Sequence, residues 1–450
     1  MPPPDPTSAP GPDPLALLRS RAYVKLLLLA ALIGIPVSAV AYGFLELVSE
    51  LQTLLFDDLP DALGFDSVPV WWPLPLLALS GLIVALAITR LPGTGGHSPA
   101  DGFHTGGPLP PVELPGVILA ALATLAFGAV LGPEAPLIAI GSGLGVIAVR
   151  LAARDAPPQA SIVIATAGSF AAVSALFGSP LLGAFLLLEA AGLGGPMLGV
   201  VLVPGLLSAG IGALIFLGLD DITGLGTFSL IVPDLPHPGP LTGAMFGWAL
   251  AIGLVAPFIG RGISILAIAI RARVEPRMVL LMPVLGLLIG GLAVGFSEAT
   301  DHPSSDVLFS GQDQLPDVVS NAASWSVGAL LLLMLCKALA YAISLSTFRG
   351  GPVFPAMFIG AAGGVAAAEL PGMELVPAVG MGIGAMCAVM LTLPLTSVLL
   401  ATLLMGTDGL AAMPVVIVAT VVAYVVTAHL TPAPAPDPAA AGGAAAAPAG

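Results

Sequence analysis

One acidic residue lies in a part of the sequence that has almost no other charge. Glu134 is the only acidic residue between Glu113 and Asp155, and it belongs to the segment GPEAP between long apolar runs. A charged carboxylate inside a membrane costs roughly 2.5–3.5 kcal/mol on insertion scales, so this position needs a reason. A helix that restarts after glycine and proline has unpaired N–H groups, which attract an anion or a carboxylate. We predict that Glu134 occupies an anion site and leaves it when protonated or displaced.

Two further glycine-rich breaks accompany GPEAP, namely segments 93–99 (GTGGHSP) and 350–355 (GGPVFP). Helical sequence resumes after GPEAP and after GGPVFP. Several helix N-termini that converge at membrane depth hold an anion without a full positive charge, whereas a fixed Lys or Arg binds it too tightly for fast release. Each break could also be a kink or a close helix contact. The backbone expected to bind the anion belongs to Gly95, Gly96, Gly132, Val353 and Phe354.

The composition requires these elements to be membrane helices. The chain has 450 residues, of which 57% are hydrophobic, and its mean hydropathy is +1.05. Only 8% of the residues are charged, against about 25% in a soluble domain, so a soluble enzyme is excluded. The net charge of −14 leaves no basic surface for nucleic acid. We predict an all-α polytopic membrane protein with on the order of 14 to 18 helices or half-helices between about residues 21 and 430.

Charge and composition also predict the ends of the membrane domain. Residues 1–18 are proline-rich and residues 431–450 consist largely of Ala, Pro and Gly, so both segments are predicted to be disordered tails. The transmembrane domain then spans residues 19–430. Arg19, Arg21 and Lys25 precede the first apolar run, which favours a cytoplasmic N-terminus.

An internal repeat indicates two halves. Pro136 and Pro355 are 219 positions apart, as are Gly141 and Gly360, while Pro180 and Pro394 are 214 apart. Duplicated halves with broken apolar segments are typical of transporters whose site lies between the halves. The alternative is that small residues recur in any helical membrane bundle. The predicted halves are roughly residues 19–235 and 236–430.

Four segments together resemble the CLC family of chloride channels and chloride/proton antiporters. They are GPEAPLIAIGSGLGVIAVR at 132–150, FGSPLLGAFLLLEA at 177–190, KALAYAISLSTFRGGPVFPAMFIGAAGG at 337–364, and GTGGHSP at 93–99. The second is similar to the family's FNAPLAGxLFxxEE, the third to its GGxFxP region, and the last to its GSGIP loop. The resemblance implies inverted halves with broken and re-entrant helices. It also implies a homodimer embedded in the lipid of the cell membrane, with both termini in the cytoplasm and one anion pathway per subunit. It also implies that Glu134 is the gating glutamate.

The sequence departs from the family at several ligands. Gly96 falls where many members have an ion-ligating serine. Pro352 and Val353 fall where two ligating amides lie; because proline has no N–H, either one ligand is lost or the register shifts to Val353 and Phe354. No tyrosine follows Tyr424, although the family's ion-ligating tyrosine is expected near the end of the last helix.

One further departure concerns proton coupling. The family's antiporters have paired glutamates at the end of the FNAP helix, and the second transfers protons; here the pair is Glu189 and Ala190. Alanine cannot titrate, so we predict chloride transport through a channel-like or weakly coupled pore. The alternative is a chloride/proton antiporter in which protons reach Glu134 by water or through Glu189. A membrane-embedded enzyme is a remote alternative, because the titratable residues are isolated. No metal-ligand spacing occurs, and we expect neither enzymatic activity nor a cofactor.

Overall fold

The computed structural model describes residues 19–152, 157–192, 196–223, 231–233 and 235–431. The tails predicted at 1–18 and 431–450 lie outside this part of the chain, except for Thr431. In the described part, every regular element is a helix, and the only β-type pairing is an isolated antiparallel bridge between Gly132 and Gly351. Eight helical segments are long and apolar enough to cross a membrane. The predicted all-α polytopic architecture is therefore confirmed.

Fifteen α-helices of seven or more residues occur in the described chain, within the predicted range. The first seven are α1 (Arg21–Thr53), α2 (Pro73–Arg90), α3 (Leu114–Leu125), α4 (Glu134–Ala152), α5 (Pro158–Phe177), α6 (Pro180–Ala191) and α7 (Pro196–Thr223). The other eight are α8 (Gly243–Val274), α9 (Met278–Ala299), α10 (Gln314–Ser320), α11 (Val327–Thr347), α12 (Val353–Ala367), α13 (Leu375–Leu391), α14 (Pro394–Leu404) and α15 (Gly406–Leu430). The predicted boundary between the halves falls between α7 and α8.

Several helices are too short to span a bilayer. Helix α6 has 12 residues and α14 has 11, which corresponds to about 16–18 Å of the roughly 30 Å hydrocarbon core. Proline begins both helices, where its missing N–H costs nothing, and Gly178 ends the preceding helix α5 in the left-handed conformation. These sequence signals produce broken helices, as the glycine and proline breaks predict.

The repeat is visible in the packing as well as in the sequence. Helix α4 crosses α5 where Gly141 meets Gly168, and α12 crosses α13 where Gly360 meets Gly382. In each pair, a Cβ atom on either glycine would overlap the carbonyl of the other. The members of one pair are 219 and 214 positions from those of the other, so the same crossing occurs at equivalent positions in both halves. If small residues merely recurred throughout the bundle, the glycines of the second half would not pack in the same pairs as their equivalents in the first half.

A buried lysine joins the second half internally. Lys337 on α11 is fully buried, and its Nζ donates to the carbonyl oxygens of Asp306 and Leu308, both at 2.9 Å. The Nζ also lies 4.1 Å from the centroid of the Phe358 ring on α12. Hydrogen bonds and the ring together replace the lost hydration of the ammonium group. This lysine therefore holds the loop before α10 against α11 and α12.

We predict that Gly141→Ala destabilises the protein by about 1–3 kcal/mol, because the added methyl group forces α4 and α5 apart. Thermal unfolding of the purified protein in detergent measures this change. The matched control is Gly291→Ala, which adds a methyl group in the interior of α9 with no atom within 4 Å. A midpoint for Gly141→Ala equal to that of the control would contradict the close-crossing interpretation.

Candidate functional site

The carboxylate of Glu134 lies at the N-terminus of a helix from the other half. Glu134 is fully buried as the first residue of α4, and its Oε1 accepts the backbone N–H of Phe354 at 3.0 Å. The backbone N–H groups of Val353 and of Glu134 itself also lie beside this carboxylate. Because α12 begins at Val353, these amides have no partner within their own helix. The helix end therefore supplies the partial positive charge that an anion in this position needs.

The second carboxylate oxygen has a different environment. Oε2 of Glu134 is buried and has no hydrogen-bond partner among the described residues. A buried acceptor without a donor is rare in folded proteins and marks a functional or strained position. Oε1 is therefore the carboxylate oxygen that accepts a hydrogen bond. The donor is a backbone N–H group, which can bind a free anion in the same way as it binds this side chain.

The amide register follows one of the two alternatives that the sequence left open. Pro352 precedes α12 and has no N–H, and the donors beside the carboxylate are those of Val353 and Phe354. The carbonyl oxygen of Pro352 accepts the hydroxyl of the buried Tyr341 at 2.8 Å. Tyr341 lies on α11, far before the end of the last helix, where the family resemblance leads us to expect a tyrosine. Tyr424 on α15 is 37% exposed.

Two glycines allow the carboxylate to fit. Gly132 and Gly351 exchange both backbone hydrogen bonds, at 2.8 Å for the Gly132 N–H and 2.6 Å for the Gly351 N–H. A Cβ atom on either residue would overlap the carboxylate of Glu134. The predicted role of the Gly132 amide as an anion ligand needs correction, because this N–H is already bonded to the Gly351 carbonyl. Gly132 instead provides space for the acidic side chain.

The first glycine-rich break differs from the other two. Gly93, Gly95 and Gly96 have positive φ angles of 79°, 69° and 95°, and the Gly96 N–H donates to the Gly93 carbonyl at 2.8 Å. Two three-residue 3-10 turns, Pro99–Asp101 and Pro111–Glu113, follow, and the next α-helix begins at Leu114. No α-helix therefore begins at Gly95 or Gly96, and the anion contact expected of their backbone stays a prediction. The two glycines do line one small cavity with Ala135 and Pro136 of α4.

Glu189, the predicted relay, is bonded to another helix. Its Oε1 accepts the N–H of Leu395 at 2.9 Å, and its Oε2 accepts both the N–H and the hydroxyl of Thr396 at 2.7 Å. Leu395 and Thr396 lie in the first turn of α14, so Glu189 at the end of α6 caps that helix. Both carboxylate oxygens are engaged in linking the two halves.

A charged residue beside the pocket was missed by the sequence reasoning. Arg349 directly precedes Gly350 and Gly351 of the third break and is only 8% exposed. Its Nε donates to the Thr94 carbonyl at 3.1 Å, so it connects the first and third breaks. The expectation of an anion pathway without a nearby fixed cation is thus not met. Its position directly before Gly350 and Gly351 was the feature of the sequence that could have identified it.

The chain is similar to several known proteins. The family model described as "Voltage gated chloride channel" matches residues 81–428. The "Putative ion-transport protein YfeO" of Escherichia fergusonii is 32% identical over 378 residues, which are 83% of this chain and 84% of that protein. The same-named protein of Shigella boydii serotype 4 is 33% identical over the same coverage.

Solved structures show the same fold at low sequence identity. A slow cyanobacterial Cl⁻/H⁺ antiporter matches with a TM-score of 0.73 and 20% identity, over 90% of this chain and 94% of the other. A CLC-type fluoride/proton antiporter matches with a TM-score of 0.69 and 20% identity, over 90% and 95% of the two chains. The family model covers most of the chain. The chain belongs to the voltage-gated chloride channel family.

Proposed function

We propose that the protein carries chloride or a similar small monovalent anion across a membrane, and that it is a transporter rather than an enzyme. The observation that carries this proposal is the carboxylate of Glu134 on the amides of α12, where a small anion could take its place. Relatives support it, because they are described as ion-transport proteins and as chloride/proton or fluoride/proton antiporters. A membrane-embedded enzyme remains the remote alternative.

Glu134 acts as the gate in this proposal. While charged, it occupies the anion position; protonation removes its attraction to the α12 amides, and an incoming anion then replaces it. Oε2 is the atom that accepts the proton, because it has no donor to lose. On leaving, the side chain breaks the hydrogen bond between Oε1 and the Phe354 N–H and moves away from the Val353 N–H beside it.

Proton coupling separates two versions of this function. We favour a channel-like or weakly coupled pore, because Ala190 cannot titrate and both oxygens of Glu189 are bonded to α14. The second version is a chloride/proton antiporter, which the described activities of the structural neighbours favour. Protons then reach Glu134 by water or through Glu189.

The proposed setting is a homodimer in the cell membrane with both termini in the cytoplasm. Arg19, Arg21 and Lys25 beside the first span support this orientation. Large apolar side chains are exposed on α7 and α14, as a surface covered by lipid or by a second subunit requires; they include Leu207, Leu214, Leu217, Leu395 and Leu403.

We predict that Glu134→Gln abolishes the pH dependence of chloride efflux from liposomes, because glutamine mimics the protonated acid and cannot titrate. Wild-type efflux should rise as the pH falls, since protonation empties the site. Efflux is measured after a potassium ionophore collapses the opposing voltage. The control is Glu298→Gln, an exposed glutamate near the end of α9. Unchanged rate and pH response in Glu134→Gln would show that the gate assignment is wrong.

We predict that Glu189→Gln destabilises the protein by about 0.5–2 kcal/mol, the usual cost of losing a helix cap, and leaves the ratio of proton to chloride flux unchanged. Simultaneous recording of both fluxes, with thermal unfolding on the same sample, measures the two effects. Loss of proton flux with intact chloride flux would instead identify Glu189 as a relay. Uphill proton movement driven by chloride in the wild type would favour the antiporter version.

A further inference from the structure

An apolar cavity opens on the side of the second half, hereafter the α8 groove. It has a volume of about 250 Å³ and lies between α8, α11 and the crossing of α12 with α13. None of the residues that line it carries a charge. Its helices differ from α7 and α14, whose exposed apolar side chains belong to the surface assigned above to lipid or to a second subunit.

The α8 groove opens on a face that lipid covers. Val255 lines the groove and is 57% exposed, and Leu254 and Phe258 beside it on α8 are also exposed. Helix α8 belongs to a segment, Gly243–Ala299, that is long and apolar enough to cross a membrane. Because the surroundings of such a helix are lipid chains, a lipid chain is the molecule at hand to fill the groove.

The length of the groove matches one leaflet of a bilayer. Its lining residues on α8 run from Trp248 to Ile259, 11 positions apart, which is about 16 Å of helix. One leaflet contributes about half of the roughly 30 Å hydrocarbon core. Trp248 lies at the end near the membrane surface: its Nε1 donates to the Pro371 carbonyl at 3.1 Å, in the loop between α12 and α13, and tryptophan is enriched at this depth.

The width of the groove selects a single chain. A volume of about 250 Å³ over about 16 Å of length corresponds to a mean cross-section of about 16 Å², or a width of about 4 Å. Carbon atoms in van der Waals contact are about 3.5–4 Å apart. The groove therefore admits one extended hydrocarbon chain and is too narrow for a fused ring system or a helix.

The end of the groove near Trp248 is acidic. Leu370 lines the groove, the preceding Glu369 is exposed, and Glu374 follows in the same loop. Segments 243–255 and 366–376, which form this end, contain no Lys or Arg. Carboxylates without a neighbouring cation attract an ammonium group and repel an anionic headgroup. A lipid with an ammonium headgroup is therefore favoured here over an anionic lipid.

We propose that the α8 groove binds one acyl chain of a phosphatidylethanolamine, with its ammonium group beside Glu369. The chain gains dispersion contacts and headgroup attraction, because it leaves surroundings that are as apolar as the groove. The groove also contacts Ile359 and Gly360 of α12, the helix whose first amides hold the carboxylate of Glu134. A bound chain thus supports this helix from the lipid side. The inference does not depend on the proposed anion transport.

The test is photolabelling of the purified full-length protein in vesicles of phosphatidylglycerol with a trace of phosphatidylethanolamine that carries a diazirine on one acyl chain. In the wild type, the labelled peptides should include α8 residues 248–259 and Met334. Gly363→Leu should abolish this labelling, because Gly363 lines the groove and a Cβ atom there would contact only the terminal atoms of Met334 within 4 Å. The matched control, Gly291→Leu on the exposed side of α9, should keep it.

The headgroup has its own measurement. A phosphatidylglycerol probe with the same diazirine chain should label residues 248–259 less than the phosphatidylethanolamine probe does. Glu369→Gln should lower the ratio of the two labels roughly two- to fivefold, the usual effect of one exposed ion pair. Equal labelling of the wild type by both probes would overturn the assignment of phosphatidylethanolamine.

The outcomes separate a built groove from general lipid contact. Unchanged labelling of residues 248–259 in Gly363→Leu would overturn the proposal, and so would the absence of label there in the wild type, as when a second subunit covers this face. If Gly363→Leu does not fold, Ala251→Leu, which narrows the groove from α8, decides by the same two outcomes. Chloride flux recorded on the same vesicles tests the proposed function separately, since its failure leaves the labelling result standing.

Discussion

The structure depends on one interaction between the halves, in which a carboxylate from α4 is held by the first amides of α12. At this junction, neither half satisfies its own polar groups: the first N–H groups of α12 have no partner within their helix, and Glu134 forms no ion pair in the part of the chain that the structure describes. Each half therefore supplies what the other lacks. Because a membrane interior offers no water to either group, separating the halves would leave both unsatisfied.

The geometry of this junction follows from the repeat. Gly132 and Gly351 are 219 positions apart, the same offset as other equivalent residues, and they pair with each other in antiparallel orientation. Equivalent segments that run antiparallel and exchange both hydrogen bonds are related by a local two-fold axis, as in an inverted repeat. The sequence breaks this symmetry at one position: Glu134 in the first half corresponds to Val353 in the second. One site therefore results, rather than two.

Departures from the family pattern change how charge is distributed around that junction. The first break is followed by 3-10 turns, so its glycines lie at no α-helix N-terminus, and the Nε of Arg349 donates to the Thr94 carbonyl there. A full charge on a side chain thus lies where partial charges were expected. Glu189, which directly precedes Ala190, links α6 to α14 through both of its carboxylate oxygens and so has a structural role.

Composition and local sequence determined the membrane helices, the positions of the breaks and the duplication, because hydropathy, proline and glycine act over short distances. They also identified Glu134, since a lone acid between apolar runs needs compensation. Only the tertiary structure decided which atoms provide it: the use of Val353 and Phe354, the loss of the Gly132 amide to a bridge, and the capping role of Glu189 all depend on groups about 200 positions away. Arg349 shows the same limit, because the Thr94 carbonyl that its Nε contacts is 255 positions away in the sequence.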